Sequence, residues 1–409
     1  SVAAVLRAYD LDPGDVIHVD TGVYVLATNI VIDAEDAGVE IRGAATGGTL
    51  LDRSNVTNGA YVFDLQDADG VQLTGLAMTG AYHGVFASSS SDSDDVRLVR
   101  NDVFGHAQRG VFLQASNDRI LLQGNLVHDN SREGVWLDGV DARIVGGEYF
   151  NNDDGIRLAG LRGRVEGADV YGNSDVGIWL AGTESVASGN VVRDNARLGI
   201  SGNTSSLAED NRVLGHRGAN DAGISTSGTA RGNEVFDNFD GIAGSGLFEA
   251  NRTYVNLNAG IRPTSNALLV GNVSYSNAVG VLATSNSTFT RHVFQNNLVY
   301  ANSNQGLIVD GGFDHQLINN TIYQPVGEAV ILRNGADGAD VRNNLLWSDL
   351  GTILDVSSNS VAGLLADFNL LADASAAGVN AARVGSTTYV NLAAWRAFLR
   401  RRTAVFFTF

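Results

Sequence analysis

The sequence predicts an all-β fold, a single right-handed parallel β-helix with a short capping helix at its N-terminus. A motif that begins with glycine recurs at intervals of 18 to 26 residues, and asparagine returns within the repeats. Glycine is abundant, with 49 residues in 409, whereas proline occurs 3 times. This period fits one coil of a β-solenoid and is too short for a propeller blade or a helical-hairpin repeat.

The glycine motif reads glycine, an aliphatic residue, any residue and a second aliphatic residue. It begins at Gly110, Gly134, Gly155, Gly177, Gly199, Gly223, Gly241, Gly260, Gly280 and Gly306. Because side chains alternate along a strand, pairs such as Val135 and Leu137 are expected to fill the bore of the coil. The residue between them, Trp136, then faces outward.

A second motif carries asparagine at both ends, as in Asn125–Asn130, Asn190–Asn195, Asn233–Asn238, Asn272–Asn277 and Asn297–Asn302. Asparagine amides that stack between neighbouring coils can satisfy backbone groups that would otherwise be buried without a partner. We therefore expect these asparagines to be structural. An aromatic series that includes Phe104, Phe150 and Tyr171 recurs with the same period, which favours structural stacking over a ligand site.

Three regions are expected along the chain. Residues 1–24 form an N-terminal cap and first strand, with an amphipathic helix over Val2 to Tyr9 covering the open core. Residues 25–372 form the β-helix coils. Residues 373–409 form an irregular C-terminal cap or the remnant of a longer protein.

Composition narrows the range of partners. All 27 basic residues are arginine, so chemistry that needs a lysine amine is excluded, and the absence of cysteine removes disulfides and thiolate metal sites. A net charge of −18 opposes binding to nucleic acid and to anionic lipid, and no apolar run is long enough for membrane insertion. We expect a protein that is secreted or at the cell surface, with self-association through the solenoid ends left open.

The opening helix, the glycine starts and the asparagine series together resemble the pectate-lyase-like superfamily of bacterial right-handed β-helix proteins. Its members include carbohydrate-binding proteins and sugar hydrolases, lyases and epimerases, so the resemblance implies a carbohydrate ligand. Several active-site signatures of that superfamily are not matched. There is no Asp-Pro-His-Glu of the alginate epimerases, no Gly-His-Gly with Arg-Ile-Lys of the polygalacturonases, and no lysine base.

Outward positions suggest where a ligand would bind. Two residues after each glycine, the early repeats carry Phe86, Phe112, Trp136, Arg157 and Trp179, whereas later repeats carry small residues. Neighbouring strands are about 4.8 Å apart, so these rings would form a flat apolar stripe suited to stacking on sugar rings. Arg157 would hold a carboxylate or sulfate through two parallel hydrogen bonds.

Ionisable residues coincide with the same repeats. The residue before each glycine is His83, Arg109, Glu133 or Asp154, and the adjacent residues are Tyr82, Arg132, Asp153 and Asp175. We expect His83, Arg109, Glu133, Asp153, Asp154 and Arg157 to be catalytic. We expect Tyr82, Phe112, Arg132, Trp136, Asp138, Asp175 and Trp179 to bind substrate.

Such a set could remove a proton beside a uronate carboxylate, as in a lyase or a C5-epimerase. Glu133 and Asp154 could instead act as hydrolytic acid and base, or hold calcium. The sequence assigns no cofactor, and Ca²⁺ is left open; the acidic turns at Asp67 and Asp92 lack the glutamate of an EF-hand loop. The expected function is therefore binding of an acidic polysaccharide over residues 84–180, and the alternative is a non-catalytic adhesin or filament module.

Overall fold

The computed structural model describes residues 1–285, 289–372 and 380–403. The chain divides into two units, residues 1–213 and residues 214–409, and the strand Arg212–Leu214 contains the boundary. Both units are built from short strands that pair in parallel with strands one coil earlier and one coil later. The expected all-β, right-handed parallel β-helix is confirmed.

Each coil of the first unit contributes one strand to each of three columns. The first column contains Ile30–Asp33, Tyr61–Gln66, His83–Ala87, Val111–Leu113, Val135–Leu137, Ile156–Leu158, Val176–Leu180 and Leu198–Gly202. The second column contains Val16–Val19, Glu40–Gly43, Gln72–Thr74, Arg97–Val99, Leu121–Gln123, Arg143–Val145, Arg164–Glu166, Val186–Ser188 and Leu207–Glu209. The third column contains Gly22–Val25, Thr49–Asn55, Ala77–Ala81, Asp102–Phe104, Leu126–His128, Glu148–Phe150, Asp169–Tyr171 and Val191–Arg193.

The second unit repeats this plan. Its first column contains Ala222–Thr226, Val279–Thr284, Gln305–Asp310, Val330–Arg333, Leu354–Val356 and Ala382–Val384. Its second column contains Thr229–Arg231, Val293–Gln295, Gln316–Ile318, Asp340–Arg342 and Leu365–Asp367. Two long strands, Asp240–Glu249 and Ala259–Val270, run through both columns. Its third column contains Glu234–Phe236, Arg252–Tyr254, Val273–Tyr275, Leu298–Tyr300, Thr321–Gln324, Leu345–Ser348 and Leu370–Ala372.

Two α-helices lie near the chain ends. Helix Val2–Ala8 packs on strands Val16–Val19 and Ile30–Asp33 and buries Val2 and Leu6, so the expected N-terminal helix is confirmed. A 3-10 turn, Ala34–Asp36, follows the second of these strands. Among the described residues, no helix combines the length and the apolar composition that crossing a membrane requires.

The segment predicted to be an irregular C-terminal cap, residues 373–409, is described in part, and residues 373–379 and 404–409 lie outside the described residues. Within the described part, Ala382–Val384 pairs antiparallel with Thr387–Tyr389, and helix Leu392–Thr403 follows. Trp395 of this helix is buried, and its ring centroid lies 5.7 Å from that of Tyr389.

The interior of the first unit is aliphatic, as the alternation predicts. Val135 lies beside Ile156 in register, and Ile156 lies beside Ile178. Their side chains are fully buried, and so are the second aliphatic residues of the motif, Leu137 and Leu158. The intervening side chains therefore point away from the bore on the same strands.

The two sequence motifs meet inside the coil. A Cβ atom added to Gly155 would lie 2.8 Å from Nδ2 of Asn173 and 2.7 Å from the carbonyl oxygen of Gly177. At Gly177 the same atom would lie 2.6 Å from Nδ2 of Asn195. Glycine recurs because an asparagine amide of the next coil occupies the space that a side chain would need.

The asparagines are structural, as expected. Asn152 donates its backbone N–H to Oδ1 of Asn173 over 2.9 Å and its side-chain amide to the carbonyl of Val127 over 3.1 Å. Asn173 repeats this arrangement with Asn195 at 3.0 Å. The side-chain amide of Asn173 thus satisfies a backbone N–H and a backbone carbonyl of the preceding coil, which explains why buried asparagine recurs.

The aromatic series on the third column is also structural. In the first unit, rings stack in parallel from Phe104 through His128 and Phe150 to Tyr171, with centroids 5.2, 4.7 and 4.9 Å apart. His128 belongs to this stack and was missed, although its position three residues after Asn125 would have placed it there. The predicted stacking role of Phe104, Phe150 and Tyr171 is confirmed.

Candidate functional site

The candidate site lies on the outer side of the first column in the first unit. We call the outward residues at its centre the outer row, and they are Phe86, Phe112, Trp136, Arg157 and Trp179. Register places each beside the next, with Asp64 before Phe86 and Ser201 after Trp179. Phe112 is buried and the other members of the outer row are half-buried.

The outer row is not the flat stripe of exposed ring faces that the sequence predicts. The guanidinium carbon of Arg109 lies 4.4 Å from the ring centroid of Phe112 and 4.3 Å from that of Trp136. Arg157 lies 4.0 Å from the centroids of both Trp136 and Trp179. Guanidinium groups therefore occupy both faces of Trp136, because a cation between two rings is attracted by the electron density of each.

Trp179 ends this stack and differs from Trp136. Arg157 covers one of its faces, whereas its register partner on the other side is Ser201. A serine side chain is too small to cover an indole. The outer row therefore ends in a tryptophan whose face away from Arg157 stacks on no ring or guanidinium of the described residues, and we call this face its uncovered side. It keeps the capacity for stacking that the sequence assigned to the whole stripe.

The two stacked arginines have different electrostatic environments. Nε of Arg109 lies 2.7 Å from Oε2 of Glu133, so that guanidinium is neutralised by an ion pair. Nε of Arg157 is buried and has no hydrogen-bond partner among the described residues. The buried Nε of Arg109 likewise has no hydrogen bond among the described residues, so the difference between the two arginines lies in the ion pair. No described carboxylate lies within ion-pair distance of Arg157, and its outer edge can accept an anion.

Three of the residues that precede the glycines have little solvent exposure. His83, Glu133 and Asp154 are 4%, 4% and 5% exposed. The structure buries these three side chains, and their predicted catalytic role stays a prediction. The physical reason for the burial is that the neighbouring coils and the outer row enclose the position before each glycine, which an alternation pattern along a single strand does not reveal.

His83 lies in an aromatic enclosure. Its ring stacks on Tyr61 and Phe86 at centroid distances of 5.6 and 5.5 Å, and Nδ1 accepts the backbone N–H of Arg109 over 3.3 Å. Burial, followed by repulsion from the Arg109 and His106 charges, lowers the pKa of His83 to about 3. The imidazole is therefore neutral at neutral pH, and its predicted catalytic role stays a prediction.

Two carboxyl groups beside the outer row have raised pKa values. Burial, together with the nearby charges of Asp175, Glu133 and Asp153, raises the pKa of Asp154 to about 6, although Oδ1 accepts the N–H of Val176 over 3.0 Å. Burial also raises the pKa of Asp138, which accepts the indole N–H of Trp136. Asp154 can therefore exchange its proton near neutral pH.

The remaining predicted residues form surface pairs or packing contacts. Arg132 lies 3.8 Å from Asp153, and Arg197, which the sequence reading missed, lies 2.8 Å from Asp175. Tyr82 packs edge-on against His83, with centroids 4.8 Å apart. Arg132, Asp153 and Asp175 therefore lie beside the outer row, in ion pairs that join neighbouring coils.

Two further residues extend the site and were missed. Tyr61 packs on Phe86 with centroids 4.3 Å apart, and Asp64 is the register partner of Phe86. Burial raises the pKa of Asp64, which accepts a hydrogen bond of 3.0 Å from Gln66. Neither follows a motif glycine, so only the strand alternation of residues 61–66 could have indicated them.

The acidic turns have a structural role in this fold. Asp67 accepts the backbone N–H of Asp92 over 2.8 Å, and Asp69 accepts that of Asp94 over the same distance. Arg119 forms an ion pair of 2.7 Å with Asp94. In the part of the chain that the structure describes, no three His, Asp or Glu side chains converge as a metal site.

The comparisons with known proteins concern the fold. No curated protein matches the sequence. The family model for the right-handed beta helix region matches residues 15–160 and 83–240, which together exceed half of the chain. The chain belongs to this family.

Solved structures that resemble this chain belong to proteins with low sequence identity to it. This β-helix protein is 14% identical to the Dettilon tailspike protein, with a TM-score of 0.39. The match covers 87% of the present chain and 62% of the tailspike chain. It is 16% identical to an alginate lyase from a Paenibacillus species, with a TM-score of 0.42 and coverages of 70% and 96%. It is 15% identical to the A-module of a mannuronan C-5 epimerase from Azotobacter vinelandii, with a TM-score of 0.41 and coverages of 91% and 94%. These likenesses are too distant to assign a substrate or a reaction.

Proposed function

We propose that this β-helix protein binds an acidic polysaccharide along the outer row of its first unit, in a secreted or cell-surface setting. The observation that carries the proposal is the guanidinium of Arg157, which lies between Trp136 and Trp179 and has no ion-pair partner among the described residues. A half-buried guanidinium without such a partner is incompletely solvated in the free protein, and a ligand carboxylate would supply the partner.

Stacking between two rings fixes the orientation of the Arg157 guanidinium, which suits the binding of a planar anion. Two indole rings hold the guanidinium plane, so little side-chain freedom is lost when a carboxylate binds its outer edge. A carboxylate can accept two parallel N–H bonds from that edge. The uncovered side of Trp179 is suited to the apolar face of an adjacent sugar ring, because an indole offers a large rigid contact area.

Proton transfer is an extension of the same proposal. Asp138 accepts the indole N–H of Trp136 and is close enough to Arg157 for that charge to affect its pKa. A carboxyl group beside a bound uronate can donate a proton, and Arg157 would stabilise charge that develops on the uronate carboxylate. A lyase or epimerase reaction would use these two groups, so the binding assay is run together with an assay for unsaturated products.

The test is calorimetric titration of acidic and neutral glycans into the wild type and into Arg157→Ala. Removing a charged hydrogen-bond donor costs about 1.5–3 kcal/mol, so we expect the affinity for an acidic glycan to fall roughly 10- to 100-fold. The control is Arg162→Ala, which removes a surface arginine paired with Asp141 and should leave affinity unchanged. Circular dichroism verifies that each variant keeps its fold.

Tryptophan variants separate the two stacking positions. Trp179→Ala removes the uncovered indole and should weaken binding even of a glycan whose carboxylate Arg157 still holds. Trp136→Ala removes a ring whose two faces contact Arg109 and Arg157, so its effect should be confined to ligands that carry a carboxylate. If no acidic glycan binds the wild type, or if Arg157→Ala binds as tightly as the wild type, the proposal is wrong and the adhesin or filament alternative is favoured.

A further inference from the structure

The charges around the outer row constrain the kind of acidic glycan that could bind, and this inference rests on the proposed function. Four arginines lie on or beside the outer row, and three of them are already paired. Arg109 pairs with Glu133 at 2.7 Å. The other two pairs are Arg132 with Asp153 at 3.8 Å and Arg197 with Asp175 at 2.8 Å.

Carboxyl groups outnumber these arginines. Asp64, Asp138 and Asp154 lie on or beside the outer row, and none of the three has an arginine within ion-pair distance among the described residues. His83 adds no compensating charge, because its imidazole is neutral. Asp154, whose pKa is about 6, is ionised above pH 7, and the protein carries a net charge of −18. Above pH 7, the face around Arg157 therefore repels further anions once Arg157 has bound one.

The spacing of the coils determines which ligands this imbalance of charge disfavours. Neighbouring coils are about 4.8 Å apart, so a polyuronate lying along the outer row would place further carboxylates within one or two coils of Arg157. Those carboxylates would approach Asp138 and Asp154, and like charges placed opposite one another oppose association.

Neutral sugars, in contrast, have a place to bind beyond Trp179. The position before the glycine changes there from Asp154 to Val176 and then to Leu198, and the outer position becomes Ser201. These side chains are uncharged and small or aliphatic. A neutral sugar next to the one held by Arg157 would therefore meet Trp179, these uncharged side chains and the ion pair of Asp175 with Arg197.

We infer that the outer row selects a sparsely charged glycan, one that carries an isolated carboxylate among neutral sugars, over a polyuronate such as alginate or polygalacturonate. Arg157 binds the single carboxylate, Trp179 contacts the adjoining neutral sugar, and the unpaired carboxyl groups of the face disfavour ligands with a charge on every residue.

The experiment compares three oligosaccharides of equal length by calorimetry at low ionic strength. The first is a xylo-oligosaccharide with one glucuronate branch, the second is the same molecule with its carboxyl group reduced to the alcohol, and the third is an oligogalacturonate. We expect the first to bind on the order of ten-fold more tightly than the third. We expect the second to bind at least ten-fold more weakly than the first, because it lacks the partner of Arg157.

A pair of isosteric variants tests the role of the negative field. Asp138→Asn and Asp154→Asn keep the oxygen atoms that accept the Trp136 indole N–H and the Val176 N–H, so the local hydrogen bonds can persist. Both variants should bind the oligogalacturonate several-fold more tightly than the wild type. This gain should shrink at high salt because added ions screen charge repulsion.

The outcomes separate this inference from the proposed function. If the oligogalacturonate binds more tightly than the singly charged xylo-oligosaccharide, and Arg157→Ala abolishes that binding, the selection rule is overturned and the proposed function stands. If the carboxyl-reduced oligosaccharide binds as well as its parent, both fail. If the two asparagine variants leave oligogalacturonate affinity unchanged, the negative field has no part in selection.

Discussion

Replacing Asn272 with alanine tests the physical basis of the coil. Asn272 is 1% exposed and lies in the second unit, within the asparagine series of the third column. Its Oδ1 accepts both the backbone N–H and the side-chain amide of Asn251, each over 3.0 Å. Its Nδ2 donates to the carbonyl of Phe248 over 2.8 Å and to Oδ1 of Asn297 over 2.9 Å.

The expected loss follows from the groups that the substitution leaves unpaired. Asn272→Ala removes the acceptor of two donors of Asn251 and the donor to the carbonyl of Phe248, in a region that water does not reach. Each unsatisfied buried group costs about 1–3 kcal/mol. Because neighbouring groups relax together, we expect the free energy of unfolding to fall by about 3–6 kcal/mol.

The assay is guanidinium denaturation followed by far-ultraviolet circular dichroism, with the midpoint compared at equal slope. The control is Asn304→Ala, which truncates an exposed asparagine for which the structure gives no side-chain hydrogen bond and should change stability by less than about 0.5 kcal/mol. If Asn272→Ala unfolds at the same midpoint as Asn304→Ala, the amide series does not stabilise the coil and the reasoning is refuted.

Three further predictions concern the first unit. Stability should fall by about 3 kcal/mol as pH drops from 6.5 to 4 on account of His83, because the unfolded histidine takes up a proton near pH 6.5 whereas its folded pKa is about 3. Asp154, with its pKa raised to about 6, has the opposite effect, because its contribution to stability grows as the pH falls. The test therefore compares the thermal midpoints of the wild type and of His83→Phe across this pH range, and identical pH profiles of the two proteins would contradict the prediction for His83. Glu133→Gln leaves the Arg109 charge without its ion-pair partner and should lower the free energy of unfolding by about 3 kcal/mol. Denaturation measures this loss, and an unchanged denaturation midpoint would argue against a stabilising ion pair. Gly155→Ala places a methyl group 2.7 Å from a carbonyl oxygen of the next coil and should destabilise by at least about 1–3 kcal/mol, whereas an unaffected thermal midpoint would show that the coils can separate to accept it.

The sequence alone was enough to predict the coil, because the features that build it are local and repeat. Glycine at Gly155 and asparagine at Asn173 occupy fixed positions in each repeat, and the structure shows that these two motifs meet between coils. Two-residue alternation also predicted which side chains leave the bore, so Trp136, Arg157 and Trp179 were placed correctly on one outer row.

Tertiary structure decided how those side chains are used. Arg109 and Trp136 are 27 residues apart, yet the guanidinium occupies an indole face. Alternation records which way a side chain leaves a strand, but it contains no information about how far a flexible arginine extends along the next coil. The same limit applies to His83, which is enclosed by Tyr61 of the preceding coil and by Phe86 of its own strand.

The pairing of charges was likewise beyond the sequence. Arg109 and Arg157 are both arginines on the same face, and no pattern separates them, whereas in the structure Arg109 meets Glu133 and Arg157 has no described carboxylate partner. Ion pairing depends on distances of a few ångströms between residues more than twenty positions apart, and the turns that set those distances vary in length from coil to coil. The sequence thus determined the β-helix fold and the set of side chains on its outer row. The packing of neighbouring coils determined which arginine of that face has no ion-pair partner and can bind a ligand.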